Sequence, residues 1–210
     1  MARDAAHEPP RQSGLRLHDW EALLIVDPQR DFCPGGALAV PEGDAIMPRL
    51  NAFLVRCQPS RVYVSRDWHP AQSRHFQAQG GKWPVHCVAD SAGAAFHPAL
   101  QLPPAAVVIS KGQDASAEGY NAFEGADAEG HQLATRLHRD GIRHIYIAGL
   151  ATEYCVRATA LAARDGGWQV TLLTDTIRGL RTEDAQRAIL EMQNAGAHLR
   201  TSIEICTPHR

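Results

Sequence analysis

The sequence contains no apolar run longer than a single strand, so nothing in it reads as a membrane span. No uninterrupted apolar stretch follows its amino terminus, which argues against a secretory signal. It has no surplus of positive charge. A formal net charge of −2 gives neither the basic footprint of a nucleic-acid binder nor a polybasic patch for a membrane surface. It also lacks a CxxC pair, and its five cysteines (Cys33, Cys57, Cys87, Cys155, Cys206) are odd in number and widely spaced. That pattern predicts no disulfide framework and a reducing, cytoplasmic setting. There is no internal repeat and no linker.

What is present suits one soluble α/β domain. The chain has 210 residues, 44% apolar and 21% charged, ordinary values for a globular protein with a large core. Residues 1–20 are polar and aperiodic, and are expected to form a flexible extension to a single domain over 21–210. Eleven histidines are more than this length would ordinarily carry, and they invite a search for metal ligands.

Apolar runs of strand length occur at Ala22–Val26, Arg61–Ser65, Ala105–Ile109, His144–Ala148 and Gln169–Leu173, with a weaker one at 196–202. Helical spacing lies between them. Asp44–Arg56 places Ile46, Leu50, Phe53 and Leu54 on one face, and Asp127–Asp140 does so with Leu133 and Leu137 before Gly141. Val156–Ala163 is rich in helix formers, and a helix to Asn194 begins near Thr182, a plausible N-cap. This alternation predicts a three-layer, doubly wound α/β sheet of about six mainly parallel strands with helices on both faces.

In such sheets ligands bind outside the carboxyl ends of the strands. The residues expected there are Asp27, Asp67 with His69, Lys111 and Cys155. Cys155 follows a strand and enters a helix, where free N–H groups and the helix dipole favour a thiolate and could hold an oxyanion. Alone, each residue has an ordinary explanation: a packed cysteine, a turn-capping aspartate, a solvated lysine. Together they form a nucleophile, base and cation set of the kind acyl transfer uses. Asp67-x-His69 precedes a long aperiodic stretch, residues 71–98, that carries His75, His86 and His97. Carboxylate plus imidazoles suits Zn²⁺, Fe²⁺ or Mn²⁺ without selecting among them. His97 looks peripheral.

Taken together the motifs resemble those of nicotinamidases, within the isochorismatase-like cysteine hydrolase family, over nearly all of the chain from Leu23 to about Ser202. The specific parts are Val26-Asp27-Pro28-Gln29-Arg30-Asp31-Phe32-Cys33-Pro34-Gly35-Gly36-Ala37-Leu38, Asp67-Trp68-His69-Pro70 and Trp83-Pro84-Val85-His86-Cys87. Further along come Lys111-Gly112, Tyr120-Asn121-Ala122-Phe123 and Gly149-Leu150-Ala151-Thr152-Glu153-Tyr154-Cys155-Val156. The resemblance implies a catalytic triad of Asp27, Lys111 and Cys155, with the N–H groups of Ala151 and Cys155 as the oxyanion hole. It implies one divalent metal ion on Asp67, His69 and His86, with His75 a fourth ligand in some relatives only. Phe32, Trp83, Tyr120 and Leu150 would hold a pyridine ring, and the Leu150–Ala151 peptide would be cis. Glu153 and Tyr154 depart from the pair common in the family, but neither belongs to the implied triad.

The expected activity is hydrolysis of nicotinamide to nicotinate and ammonia through a Cys155 thioester, extending to pyrazinamide, in the salvage of NAD. The expected partner is a small aromatic amide, with no nucleic acid and no membrane; a homo-oligomer stays open. Two enzymatic alternatives compete: an amidase of the same family acting on a carbamoyl or ureido substrate, and a metal-water hydrolase in which Cys155 is structural. A non-enzymatic binding protein is the third, disfavoured by the complete triad.

Overall fold

Each apolar run forms a strand because its successive side chains enter two different buried layers. The computed structural model describes residues 16–207. Its strands are β1 (Glu21–Val26), β2 (Val62–Asp67), β3 (Val107–Lys111), β4 (His144–Leu150), β5 (Gln169–Arg178) and β6 (His198–Arg200). They form one sheet in the order β3-β2-β1-β4-β5-β6, with every ladder parallel. The helices are α1 (Met47–Cys57), α2 (Leu133–Arg139), α3 (Arg157–Asp165), α4 (Thr182–Asn194) and α5 (Ser202–Cys206). Leu24 and Val26 of β1 pack with Leu133 of α2, Ala160 of α3 and Met192 of α4. Leu23 and Ile25, one residue out of step, pack with Met47, Leu50 and Phe53 of α1 on the other face. The strand order reverses between β1 and β4, and a crevice opens there at the carboxyl ends. No helix among the described residues is long and apolar enough to cross a membrane.

Several boundaries differ from expectation, each for a local reason. The segment 127–132 is not helical: the Asp127 carboxylate accepts the N–H groups of Glu129 and His131 and folds it into a turn, so α2 starts at Leu133. A 3₁₀ turn over Gly43–Ile46 precedes α1, which begins where Pro48 can occupy its first turn. Thr182 is the first residue of α4 and not its cap; Arg181 holds the N-cap position, with no side-chain cap. β5 continues past Asp175, because residues 173–176 bulge out of its ladder with β4 and pairing resumes with Gly149 and Leu150 opposite Ile177 and Arg178. The chain enters α3 through a π-helical turn, Thr152–Val156, so Cys155 sits in a wider turn than an α-helix start.

The expectation of no disulfide is corrected. Cys57, the last residue of α1, is bonded to Cys206, the last of α5, across 149 residues of sequence with Cα atoms 5.4 Å apart. The pairing depends on α5, a helix the periodicity did not announce, and on tertiary packing that brings it beside α1. Cys33, Cys87 and Cys155 are free and buried. Of the expected flexible extension, residues 1–15 lie outside the described residues. Leu17 is buried in the core, and its N–H donates to Cys57 O at 3.0 Å.

Candidate active site

The carboxyl ends of β1, β2 and β3, with the π-turn after β4, deliver one side chain each to a single buried cluster. Asp27 follows β1 with φ 47°, an uncommon conformation for a residue with a side chain. It is held by Ser65 of β2: the Asp27 N–H donates to Ser65 O at 3.2 Å, and the Ser65 hydroxyl donates to Asp27 Oδ1 at 2.7 Å. Lys111, at the end of β3, places Nζ 2.7 Å from Asp27 Oδ2 and 2.5 Å from Asp67 Oδ1. The same ammonium donates to Gly119 O at 2.7 Å and lies 3.4 Å from Cys155 Sγ. The side-chain acceptor atoms of Asp27, Asp67 and Cys155 all lie within 4.8 Å of one another.

These contacts set the protonation states. Burial would push the Asp67 carboxyl up, but Lys111 and His69 outweigh it and hold it well below the usual range. Burial would lower Lys111, yet Asp27 and Asp67 keep it firmly protonated. Asp27 is raised, by burial first and by Asp67, against the pull of Lys111. Cys155 is also raised: burial dominates, Lys111 opposes it, and Asp27 and Asp67 add to it. The helix-start tendency toward a thiolate is thus opposed by burial and by the two carboxylates. Two carboxylates already share the one ammonium, so the Asp27 carboxyl and the Cys155 thiol are both left with raised proton affinity.

Three histidines gather next to this cluster. His69, His75 and His86 are buried, and each has a ring nitrogen within 4.8 Å of the other two. His69 Nδ1 lies 3.0 Å from Gly112 O, and His86 Nδ1 lies 2.8 Å from Pro84 O. A carbonyl can only accept, so both Nδ1 atoms carry hydrogen and both Nε2 atoms are turned toward Asp67. His69 Nε2 is buried with no hydrogen-bond partner, 3.4 Å from Asp67 Oδ2, and His86 Nε2 is 3.9 Å from the same oxygen. His75 is held neutral, near 4, by burial and by His69 and His86. Gly112, with φ +66°, makes the seat: a Cβ there would come within 2.5 Å of His69 Cε1. Three clustered imidazoles, an ionised carboxylate and an orphaned buried nitrogen fit a divalent cation. His97 is not in the cluster; it lines a separate groove with Arg30 and Cys33.

A small cavity opens onto both groups, lined by Phe32, Trp83, Tyr120, Tyr154, Leu180 and Cys155 among others. Trp83 Nε1 donates to the Tyr120 hydroxyl at 2.7 Å, and the Trp83 and Tyr154 rings meet edge-on with centroids 4.9 Å apart. The chain has only two lysines, and both serve this region: Lys111 at its base and Lys82, whose Nζ donates to the Tyr154 hydroxyl at 3.2 Å. Leu150 does not line the cavity; its side chain is fully buried in the α1-side core, although its peptide with Ala151 is cis.

Sequence reasoning passed over two residues here. Tyr154 forms part of the wall, and its position beside Cys155 in the turn was the available signal. Gln29 is fully buried and clamps β1 to β2: its amide donates to Asp67 O at 2.8 Å and Ala94 O at 2.9 Å, while its oxygen accepts from Asp67 N at 2.7 Å. Only its place two residues beyond Asp27 marked it.

The chain is similar to known proteins in sequence and fold. Residues 21–204 match the family model of the isochorismatase domain. The nicotinamidase of Escherichia coli is 39% identical over 200 residues, covering 86% of this chain and 94% of the relative. The crystal structure of the Pyrococcus horikoshii pyrazinamidase in complex with zinc superposes with a TM-score of 0.79 at 43% identity, covering 87% and 99% of the two chains. That of the L. infantum protein PnC1 in complex with nicotinate gives the same TM-score at 34% identity, covering 90% and 96%.

Proposed function

The chain belongs to the isochorismatase-domain family, and from that premise we propose that it is an amidase hydrolysing nicotinamide to nicotinate and ammonia, with pyrazinamide as a further substrate. The observation that carries the reading is a thiol, a raised carboxylate and a shared ammonium at the base of an aromatic-walled cavity, beside three clustered imidazoles. Aromatic walls suit a planar heteroaromatic ring, which a carbamoyl or ureido substrate would not fill.

In this scheme Cys155 Sγ attacks the carboxamide carbon as Asp27 takes the thiol proton. The N–H groups of Ala151 and Cys155 stabilise the tetrahedral oxyanion, an effect of about 3 kcal/mol for one donor. Collapse of the adduct breaks the C–N bond, and Asp27 returns its proton to the departing ammonia. A water deprotonated by Asp27 then hydrolyses the thioester, releasing nicotinate and restoring the thiol. Lys111 stays protonated throughout and keeps Asp27 and Asp67 from repelling each other. Asp67, His69 and His86, with His75 as a fourth donor, would hold zinc, or iron or manganese in its place. When bound, the ion supplies a Lewis-acid anchor for the pyridine nitrogen. We assign the activity to the domain spanning 21–210, with the nicotinate it releases re-entering pyridine nucleotide synthesis.

The test is ammonia release from nicotinamide by metal-replete protein, by chelated protein, and after separate add-back of zinc, iron and manganese. Release that falls on chelation and returns with a metal supports the reading. No release from replete protein refutes the substrate, and release indifferent to chelation refutes the metal's role.

A further inference from the structure

Leu180 reaches the cavity wall from the loop between β5 and α4, and that loop is fastened by a residue of the π-turn. Glu153 Oε1 accepts the N–H of Arg181 at 3.0 Å, a contact between residues 28 apart in sequence. Arg181 is the N-cap of α4, a helix with no side-chain cap of its own. The start of α5 shows the self-contained alternative: Glu204, third in that helix, accepts Thr201 N–H at 2.6 Å while the Thr201 hydroxyl accepts Glu204 N–H. The third residue of α4, Asp184, pairs instead with Arg181 and Arg187. Glu153 thus supplies to α4, from another element, what Glu204 supplies to α5 from within.

The second carboxylate oxygen makes the fit close. Glu153 Oε2 is buried without a hydrogen-bond partner. A Cβ on Gly179 would strike that oxygen and would lie 2.7 Å from Ala185 Cβ, so the carboxylate packs where only glycine leaves room. Glu153 is next to Tyr154 and two residues before Cys155, and both line the cavity together with Leu180.

We propose that Glu153 is a positioning residue: it latches the 179–181 loop to the π-turn, so that Leu180 and the Cys155 thiol face the same substrate. The kinetic side of this proposal rests on the amidase reading above. Glu153 touches no reacting atom. It acts through Leu180, and its effect should fall on substrate binding more than on turnover.

The experiment compares the wild type with Glu153→Ala, Glu153→Gln, Leu180→Ala and the Glu153→Ala/Leu180→Ala pair, all metal-replete. Glu153→Ala is expected to raise KM for nicotinamide about tenfold, the scale of one hydrogen bond to a charged group, with a smaller change in kcat. Glu153→Gln keeps the acceptor oxygen and should restore most of the loss. Because both residues act on one wall, the double variant should lose little more than the worse single variant. Amide hydrogen exchange gives a readout independent of activity: Glu153→Ala should lose protection at 179–182 while the central strands keep theirs, and Glu153→Gln should regain it. Additive losses in the double variant, or unchanged exchange at 179–182, would overturn the latch. A wild type that releases no ammonia would count against the amidase reading alone, leaving the exchange experiment to decide the latch.

Discussion

β1 and β4 carry a buried polar cluster at each end, and the two clusters are built differently. At the amino ends Glu21 lies opposite His144. Its carboxylate accepts the His18 N–H at 2.8 Å and the Tyr146 hydroxyl at 2.9 Å, with His144 Nδ1 at 3.2 Å. His144 Nε2 in turn lies 2.9 Å from Thr171 Oγ1. Burial pushes the Glu21 carboxyl up, but His144, the His18 N–H and Tyr146 outweigh it and leave it below its ordinary 4.5. This network closes on itself. At the carboxyl ends, burial leaves Asp27 and Cys155 raised, one lysine serves two carboxylates, and His69 Nε2 has no partner. Satisfied polar groups stabilise a fold. Buried groups left with spare proton affinity or unused lone pairs cost stability and are retained where chemistry needs them.

Substitutions at the two ends should separate along that line. Cys155→Ala is the largest expected effect: kcat/KM for nicotinamide should fall by roughly 10⁴ or more, with the melting temperature nearly unchanged. Wild-type turnover in this variant would make the thiol structural and erase the contrast between the two ends. Lys111→Met should fail on both counts, since it leaves Asp27 and Asp67 facing each other without a cation. A stability loss of about 3–5 kcal/mol in urea titration, together with lost turnover, is expected; unchanged stability would mean that the ammonium is not what holds the carboxylates.

The amino end should behave in the opposite way. Glu21→Ala strands the Tyr146 hydroxyl and the His18 N–H, and about 2–3 kcal/mol of stability should be lost. Turnover per folded molecule should stay within about twofold, because Glu21 and Asp27 occupy opposite ends of one strand. A matching collapse in kcat would join the two clusters into one functional unit. The smallest effect is on pH dependence. Because the folded Glu21 pKa is depressed, its stabilisation is fully present above the unfolded value of about 4.5 and is lost as pH falls through the folded value. The gap in melting temperature between wild type and Glu21→Gln should therefore be constant near neutrality and narrow below about pH 4.5. A gap that widened on acidification would reverse the sign assigned to this carboxylate.

The sheet was legible because strands buried on both faces must be apolar throughout, as Leu23-Leu24-Ile25-Val26 is. What could not be read were interactions between segments distant in sequence. Asp127 gave no sign that it would fold the following segment into a turn. Cys57 and Cys206 gave no sign of one another. Gln29 and Glu153 act through backbone groups 38 and 28 residues away.

By itself the sequence determined which chemistry is present: which residues end which strands, and hence that a thiol, two carboxylates, a lysine and histidines collect at one sheet edge. Tertiary structure alone decided how these groups share charge. Whether Cys155 rests as thiol or thiolate depends on one ammonium lying between Asp27 and Asp67, because Coulomb energies in a buried site follow distances of a few ångströms that residue order does not encode.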